Sequence, residues 1–287
     1  MEPVTVLLNV WGGDTLRSIH RSVRSILAQT YLPEELLIVV DGPLEDSVNK
    51  YLSSIADQTS IPVRLVRIET AKGLWNARNV GLKEARTELV ALQDADDVMH
   101  PLRLEIQIKR LSTDDLALVG ASAVEFDSES GIVLRTRLVC ATNYEISRQA
   151  RWTNPIIHSS VTLKRGYVLE VGGYRDIYKS EDYDLWLRLI ARNRRLANCT
   201  EILQGFAVDQ TLFKRRRGWQ FMRSEMMLNN QLKLHRSLTL PSRIIRLVVR
   251  LSYRLGPAKM SEVGHKVFLS RGRSEIGRHI SYLGFLK

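Results

Sequence analysis

The sequence predicts an α/β protein: a mostly parallel, doubly covered sheet with helices on both faces. Three observations predict it. Between residues 4 and 92, short unbroken apolar runs alternate with segments whose apolar residues recur at helical spacing. The connections between them are only a few residues long, as successive βα units require. The run Leu89–Leu92 leads through Gln93 into Asp94-Ala95-Asp96-Asp97, so a buried strand ends in three carboxylates. Ligands of open α/β sheets bind outside the carboxyl ends of the strands, where such acids would sit.

The elements follow in order. Val4–Val10 is an apolar run of strand length. Gly12-Gly13-Asp14 breaks it, and Leu16, Ile19, Val23, Ile26 and Leu27 then mark one face of a helix. Leu36–Val40 is a second buried strand, ended by Asp41-Gly42-Pro43. Val48, Leu52 and Ile55 mark a second helix, Val63–Ile68 a third strand, and Gly73 opens a helix carrying Ala77, Val80 and Leu82. After the fourth strand, Pro101 begins a helix with Leu104, Ile108 and Leu111 on one face. Residues 116–126 and 131–139 read as two strands around Asp127-Ser128-Glu129-Ser130-Gly131. Residues 143–151 are polar and take no assignment. Ser160–Leu163 is a short strand, and a helix then runs to Gly172-Gly173-Tyr174. Ser180-Glu181-Asp182-Tyr183-Asp184 opens a helix with acids in its first turn. Helical patterns dominate from 217 onward.

Composition narrows the class. A chain of 287 residues holds one large domain or two small ones. No apolar run approaches the ~20 residues of a membrane span. The first residues lack the basic-then-apolar pattern of a secretory signal. Cys140 and Cys199 lie in separate elements and read as small core residues of a reduced compartment. The net charge of +11 is uneven. Residues 211–287 carry 17 Lys and Arg against 3 Asp and Glu, while residues 1–210 carry 25 against 28. A slightly acidic body followed by a strongly basic region points to an anionic surface.

Three acidic sites fall at element edges: Asp41, the Asp94/Asp96/Asp97 group, and Glu181/Asp182. In a parallel sheet the first two share one end. Crowded carboxylates repel one another unless a cation sits among them, and Mg²⁺ or Mn²⁺ bridging to phosphate needs only one or two of them. The plain alternative is a solvated turn, with Asp97 capping the helix near Pro101. Asp41 suits a nucleobase or ribose hydroxyl, or is only a turn residue before Gly-Pro. Arg78, on a helix that starts near the same edge, suits a diphosphate.

These residues carry a resemblance. The chain resembles the family 2 inverting glycosyltransferases of the GT-A fold, most closely the bacterial branch that builds capsular, exopolysaccharide and O-antigen units. The matching segments, in the family's order, are residues 4–14, Ser25-Ile-Leu-Ala-Gln-Thr30, Leu37-Ile-Val-Val-Asp-Gly-Pro43, residues 73–81, Asp94-Ala-Asp-Asp-Val-Met-His-Pro101, His158 with Gly172-Gly-Tyr174, and Glu181-Asp-Tyr-Asp-Leu-Trp186. Ala71 replaces a frequent Asn, Trp11-Gly12 replaces Tyr-Asn, and the second strand ends in one Asp instead of two. These departures bear on which sugar is bound. The resemblance implies a GT-A domain over 1–210, with a nucleotide-sugar half (1–100) and an acceptor half (101–210), followed by a basic helical region (211–287). It implies that Asp41 contacts the nucleoside, Arg78 the base or diphosphate and Asp94 the ribose. Asp96 would hold the divalent metal, Mg²⁺ or Mn²⁺. Asp182 would be the catalytic base, with Glu181 and Asp184 as lesser candidates and His158 lining the donor or acceptor site. The expected donor is a UDP-sugar. The expected acceptor is a lipid-linked glycan, at the cytoplasmic face of the plasma membrane.

In the basic region, Lys214-Arg-Arg-Arg217 precedes Arg243, Arg246, Arg250 and Arg254, which share one helical face amid aliphatic residues. Such a helix suits an anionic bilayer surface, or packs on the domain with its arginines in solvent. Few aromatics accompany the charge, which argues against nucleic acid. Two rival functions remain. A haloacid-dehalogenase-like phosphatase also ends a strand in Asp-X-Asp, but on its first strand and as a nucleophile; here three strands precede the motif. A non-catalytic GT-A-like scaffold in polysaccharide assembly would have no need of the acids.

Overall fold

Strand β1 (Val4–Trp11) is the axis of the sheet. It pairs in parallel with β2 (Glu35–Asp41) on one side and with β4 (Leu89–Asp94) on the other, and β3 (Val63–Ile68) adds in parallel to β2. In this computed structural model the described residues are 1–208, 219–234 and 239–255. All of β2 is buried, because helices cover both faces of a parallel sheet. Residues on β1 alternate between two core layers. Val6, Leu8 and Val10 pack with Ile19, Val23 and Ile26 of α1 (Leu16–Leu27). Leu7 packs on the other side with Ala77 and Leu82 of α3 (Leu74–Glu84). Gly81 lets α3 approach this closely: a Cβ there would lie 2.3 Å from the Leu7 side chain. Helix α2 (Asp46–Ser54) covers the first face beside α1.

Beyond β4 the sheet becomes mixed. The elements are β5 (Val98–Met99), α4 (Arg103–Thr113), β6 (Leu118–Asp127), β7 (Val133–Arg137), α5 (Asn143–Gln149), β8 (Thr162–Lys164), α6 (Arg165–Glu170), α7 (Glu181–Ala191) and β9 (Leu196–Val208). The order is β3-β2-β1-β4-β8-β6-β9-β5, with β7 paired to β6. Strand β8 joins the halves, antiparallel to both β4 and β6. The predicted hairpin is β6–β7.

Three elements are absent from the sequence reading: the two-residue β5, α5 and β9. Helix α5 starts at a capping box, Thr142 with Glu145, inside the stretch left unassigned. Strand β9 is longer than any other described strand, and Asn198, Thr200, Glu201 and Gln204 interrupt its apolar pattern. Pairing with β6 along its length specifies it more than its own periodicity does.

A buried arginine holds the junction. Arg103 donates to the side chains of Gln93, Gln107 and Gln204 and to the carbonyls of Leu92, Ser159 and Val161. Burial lowers its pKa to about 9, so these acceptors are what keep the charge tolerable inside the fold.

Two further helices, α8 (Trp219–Leu234) and α9 (Leu240–Leu255), lie in the basic region. Leu228 and Leu232 pack on Ala150, Tyr183 and Leu187. The arginine face of α9 is turned inward, contrary to both sequence expectations. Arg246 is 1% exposed and reaches Glu225 of α8 at 3.4 Å, and Arg250 Nε reaches the same carboxylate at 2.9 Å. Glu225 is itself buried, and a buried carboxylate needs such partners. Lys214–Arg217, the Arg254 side chain and residues 256–287 lie outside the described residues. Among the described residues no helix is long and apolar enough to cross a membrane.

Candidate active site

The register of the parallel strands fixes the site. Trp11 lies opposite Asp41, and Asn9 opposite Asp94, so Asp41 and Asp94 share the carboxyl edge as expected. Asp41 accepts hydrogen bonds from the Lys72 N–H at 3.0 Å and the Gly73 N–H at 2.9 Å. Its carboxylate thus holds the loop that launches α3, at the predicted edge.

Arg78, one turn into α3, joins two of the predicted acids. Its Nη1 lies 2.5 Å from Glu181 Oε1 and its Nη2 3.4 Å from Asp94 Oδ1. The guanidinium also lies 5.5 Å from the centre of the Tyr174 ring. Burial opposes the Arg78 charge, but Glu181 and Asp94 outweigh it and raise the pKa. Burial would raise the Asp94 pKa, yet His158 and Arg78 together hold it below the usual carboxylate range. His158, at the start of a short 3₁₀ turn, places Nδ1 3.8 Å from Asp94 Oδ1 and Nε2 3.0 Å from the Tyr174 hydroxyl. Its ring stacks on Trp186 of α7 with centroids 6.3 Å apart. The structure therefore brings Arg78, Asp94, Glu181 and His158 into one buried network.

The Gly172-Gly173-Tyr174 motif has a mechanical role. Both glycines have positive φ, +86° and +64°. Asn79 of α3 donates to the Tyr174 carbonyl and accepts from its N–H, both at 2.8 Å. Arg188 of α7 donates to the carbonyls of Val171 and Gly173, each at 2.6 Å. Asp184 is fully buried and accepts from Arg188 Nε at 2.8 Å. Of the three acids opening α7, Asp184 therefore serves the loop and Glu181 faces Arg78. Asp182 is half-buried, and its two oxygens accept from Asn154 Nδ2 and from the Tyr183 N–H, each at 2.7 Å.

The acidic loop after β4 is held from several sides. Arg21 of α1 donates to the Asp96 carbonyl at 3.2 Å, and Ser22 to the Asp94 carbonyl at 3.1 Å. Asp97 is no helix cap: residue Leu102 precedes α4. Its buried carboxyl accepts from the Ser159 hydroxyl and from the Ala207 N–H, tying the loop to the His158 turn and to β9. Burial, then the Asp96 and Asp94 charges, push the Asp97 pKa well up. The Asp96 side chain is exposed. Asp14, in the turn after β1, has its pKa pushed up to about 7 by burial, with the Asp96 and Asp94 charges adding to it against the Trp11 N–H.

Among the described residues no three metal-ligating side chains converge, so a divalent cation here would take most of its ligands from elsewhere. Mg²⁺ and Mn²⁺ accept one or two carboxylates and complete their shells with phosphate oxygens and water. Asp96 is the exposed acid of the loop, and the Asp94 and Asp97 carboxyls meet Arg78, Ser159 and Ala207. Burial is the main cause of the raised Asp14 pKa, and the Asp96 and Asp94 charges add to it.

Asn154, Tyr174, Ser159 and Asp14 are the site residues that sequence reasoning missed. All four lie inside or beside motif segments, and Asn154 precedes His158 by four positions. Their polar character next to glycine and proline turns was the available signal.

A parallel sheet edge carrying these acids, joined through β8 to a second, mixed half, is the GT-A architecture. S. aureus TarS shares it: the match has a TM-score of 0.64 at 14% identity and covers 88% of this chain. It covers only 43% of that TarS chain, so this chain spans less than half its length. A structure of TarS 1-349 in complex with UDP-GlcNAc also matches, with a TM-score of 0.64 at 13% identity over 99% of this chain and 79% of that one. At such identities the likeness establishes the fold alone.

The chain belongs to glycosyl transferase family 2, whose sequence model matches residues 15–171. It is 31% identical over 225 residues to the amylovoran biosynthesis glycosyltransferase AmsE of Erwinia amylovora, covering 78% of this chain and 83% of that protein. It is 25% identical over 268 residues to an Escherichia coli UDP-Gal:alpha-D-GlcNAc-diphosphoundecaprenol beta-1,3-galactosyltransferase, covering 93% and 96%. The protein is therefore a glycosyltransferase, and the phosphatase and scaffold readings fall away.

Proposed function

We propose that the protein is a metal-dependent inverting glycosyltransferase that moves one sugar from a UDP-sugar to a lipid-linked intermediate of a bacterial surface polysaccharide. The division of labour at the start of α7 carries the proposal. Arg78 pairs with Glu181 and Arg188 with Asp184, whereas the half-buried Asp182 accepts from Asn154 and from the Tyr183 N–H instead. An inverting transfer needs one base. As the acceptor hydroxyl attacks the anomeric carbon, its proton passes to Asp182, which Asn154 orients. On the donor side, Asp41 and the Lys72–Gly73 loop contact the nucleoside, and Asp94 the ribose. Arg78 braces this side against α7, and His158 lines the space between the halves. Asp96 would hold the metal, which when bound offsets charge developing on the departing diphosphate.

The UDP-Gal in the E. coli relative's name supports a uridine donor, and the diphosphoundecaprenol in it supports a lipid-linked acceptor. That chemistry belongs at the cytoplasmic face of the membrane, where an anionic surface would meet the basic residues 211–287. The test is a UDP titration in Mn²⁺ followed calorimetrically. Wild type binds only with metal, and Asp96→Asn loses the metal dependence while keeping its melting temperature. Equal binding by both proteins would refute the metal role. Absence of sugar transfer from a panel of UDP-sugars would refute the donor class.

A further inference from the structure

Helix α9 is folded with its polar side in and its apolar side out. Leu240, Ile244, Ile245 and Val248 are 64%, 53%, 57% and 60% exposed. Pro241 is exposed beside them. These positions follow one another at the i, i+4, i+8 spacing of a single helix face. The opposite side holds Arg246 and Arg250 on Glu225 of α8. Aliphatic side chains gain nothing from water, whereas arginines are readily solvated. A helix that exposes the first kind and buries the second is shaped for a surface that replaces water.

We infer that the Leu240–Ile244–Ile245–Val248 face of α9 is the surface by which this protein seats on an anionic phospholipid bilayer. Charge selects the bilayer over another protein. Residues 211–287 carry 17 Lys and Arg against 3 Asp and Glu, a net of +14 that would repel a second copy and attract anionic headgroups. The exposed aliphatic side chains are placed to enter the acyl boundary, and the basic excess of residues 211–287 supplies the attraction to anionic headgroups. The Arg246–Glu225 and Arg250–Glu225 pairs fix the roll of α9, so its apolar face is presented outward in the absence of lipid. This deepens and rests on the reading that the acceptor is carried by a membrane lipid, and the variant that tests it leaves every acid of the site in place.

The test uses the full chain and sedimentation with vesicles of phosphatidylglycerol and phosphatidylcholine, against vesicles of phosphatidylcholine alone. Wild type is expected to bind the anionic vesicles. The triple variant Ile244→Glu/Ile245→Glu/Val248→Glu, altered only at exposed positions, is expected to lose at least about tenfold in partitioning, because it gives up methylene burial and adds charge of the wrong sign. Its melting temperature and metal-dependent UDP binding should be unchanged, which separates failure here from failure of the catalytic reading. Undiminished vesicle binding by the variant would overturn the inference. So would a wild-type dimer, seen by light scattering, that the variant dissociates, since the face would then belong to a second copy.

Discussion

Arg78 and Glu181, 103 positions apart, meet at 2.5 Å between helices that cover the same face of the sheet. The contact joins the donor-side helix to the helix that carries the proposed base. Asp94 shares the same guanidinium, so one cation satisfies acids from two other elements.

Arg78→Ala should therefore be costly. It leaves Glu181 and Asp94 without their cation, and breaking a buried pair on one side typically costs about 3–5 kcal/mol. A urea unfolding curve should show a loss of that order. Arg78→Lys keeps the charge but not the fork that reaches both acids, so it should fall between the two. A wild-type midpoint for Arg78→Ala would mean that the network contributes nothing.

The first turn of α7 predicts a separation of kinetic effects. Asp182→Asn should retain UDP binding and lower kcat by about 10²–10⁴-fold, the usual worth of a general base. Glu181→Gln should chiefly lower stability, since it weakens the partner of Arg78. If Glu181→Gln abolished turnover and Asp182→Asn did not, the two roles would have to be exchanged.

The loop before α7 predicts a steric effect. A Cβ on Gly173 would stand 2.3 Å from Asn79 Oδ1, and the residue sits at φ +64°. Gly173→Ala should push Asn79 off Tyr174 and cost on the order of 1–3 kcal/mol. Asn79→Ala should produce a similar loss, and the double variant should lose less than the sum. Additive losses in that cycle would show the contacts to be independent.

How far the sequence was legible follows from these contacts. Strands β1 to β4 are apolar runs between polar breaks, and their order places Asp41 and Asp94 at one edge. The acids of α7 were legible as a group, but not their separate partners. Asp184 and Arg188 stand four apart on α7, a pairing that helical spacing allows, but Arg78 comes from a different element, and no spacing in the chain reveals that it meets Glu181. Strand β9 was not legible because β6, not its own periodicity, specifies it. The arginines of α9 were read as a surface feature because Glu225, which draws Arg246 and Arg250 inward, lies more than twenty residues away.

The Asp14 carboxyl supplies a pH dependence. Its pKa is pushed from the ordinary aspartate value of about 4 up to about 7 in the fold, chiefly by burial. Between those values the folded protein keeps a proton that the unfolded chain has released, so stability falls as pH rises through the window and levels off above it. Asp14→Asn removes this penalty. Relative to wild type, the variant should gain stability progressively from pH 4 to 7 and hold that gain at pH 8, as read from urea midpoints. A constant difference across the range would contradict the assignment.

Arg103 makes the inheritance of its neighbours interdependent. Gln93, Gln107 and Gln204 come from three elements, yet each answers to the same guanidinium. The loss of any one glutamine unbalances a shared cation, so the effect of a second loss depends on whether the first has occurred. Variation at these sites is thus epistatic by construction. Natural sequences that exchange one of the glutamines for an apolar residue should exchange the others, and the arginine, together with it.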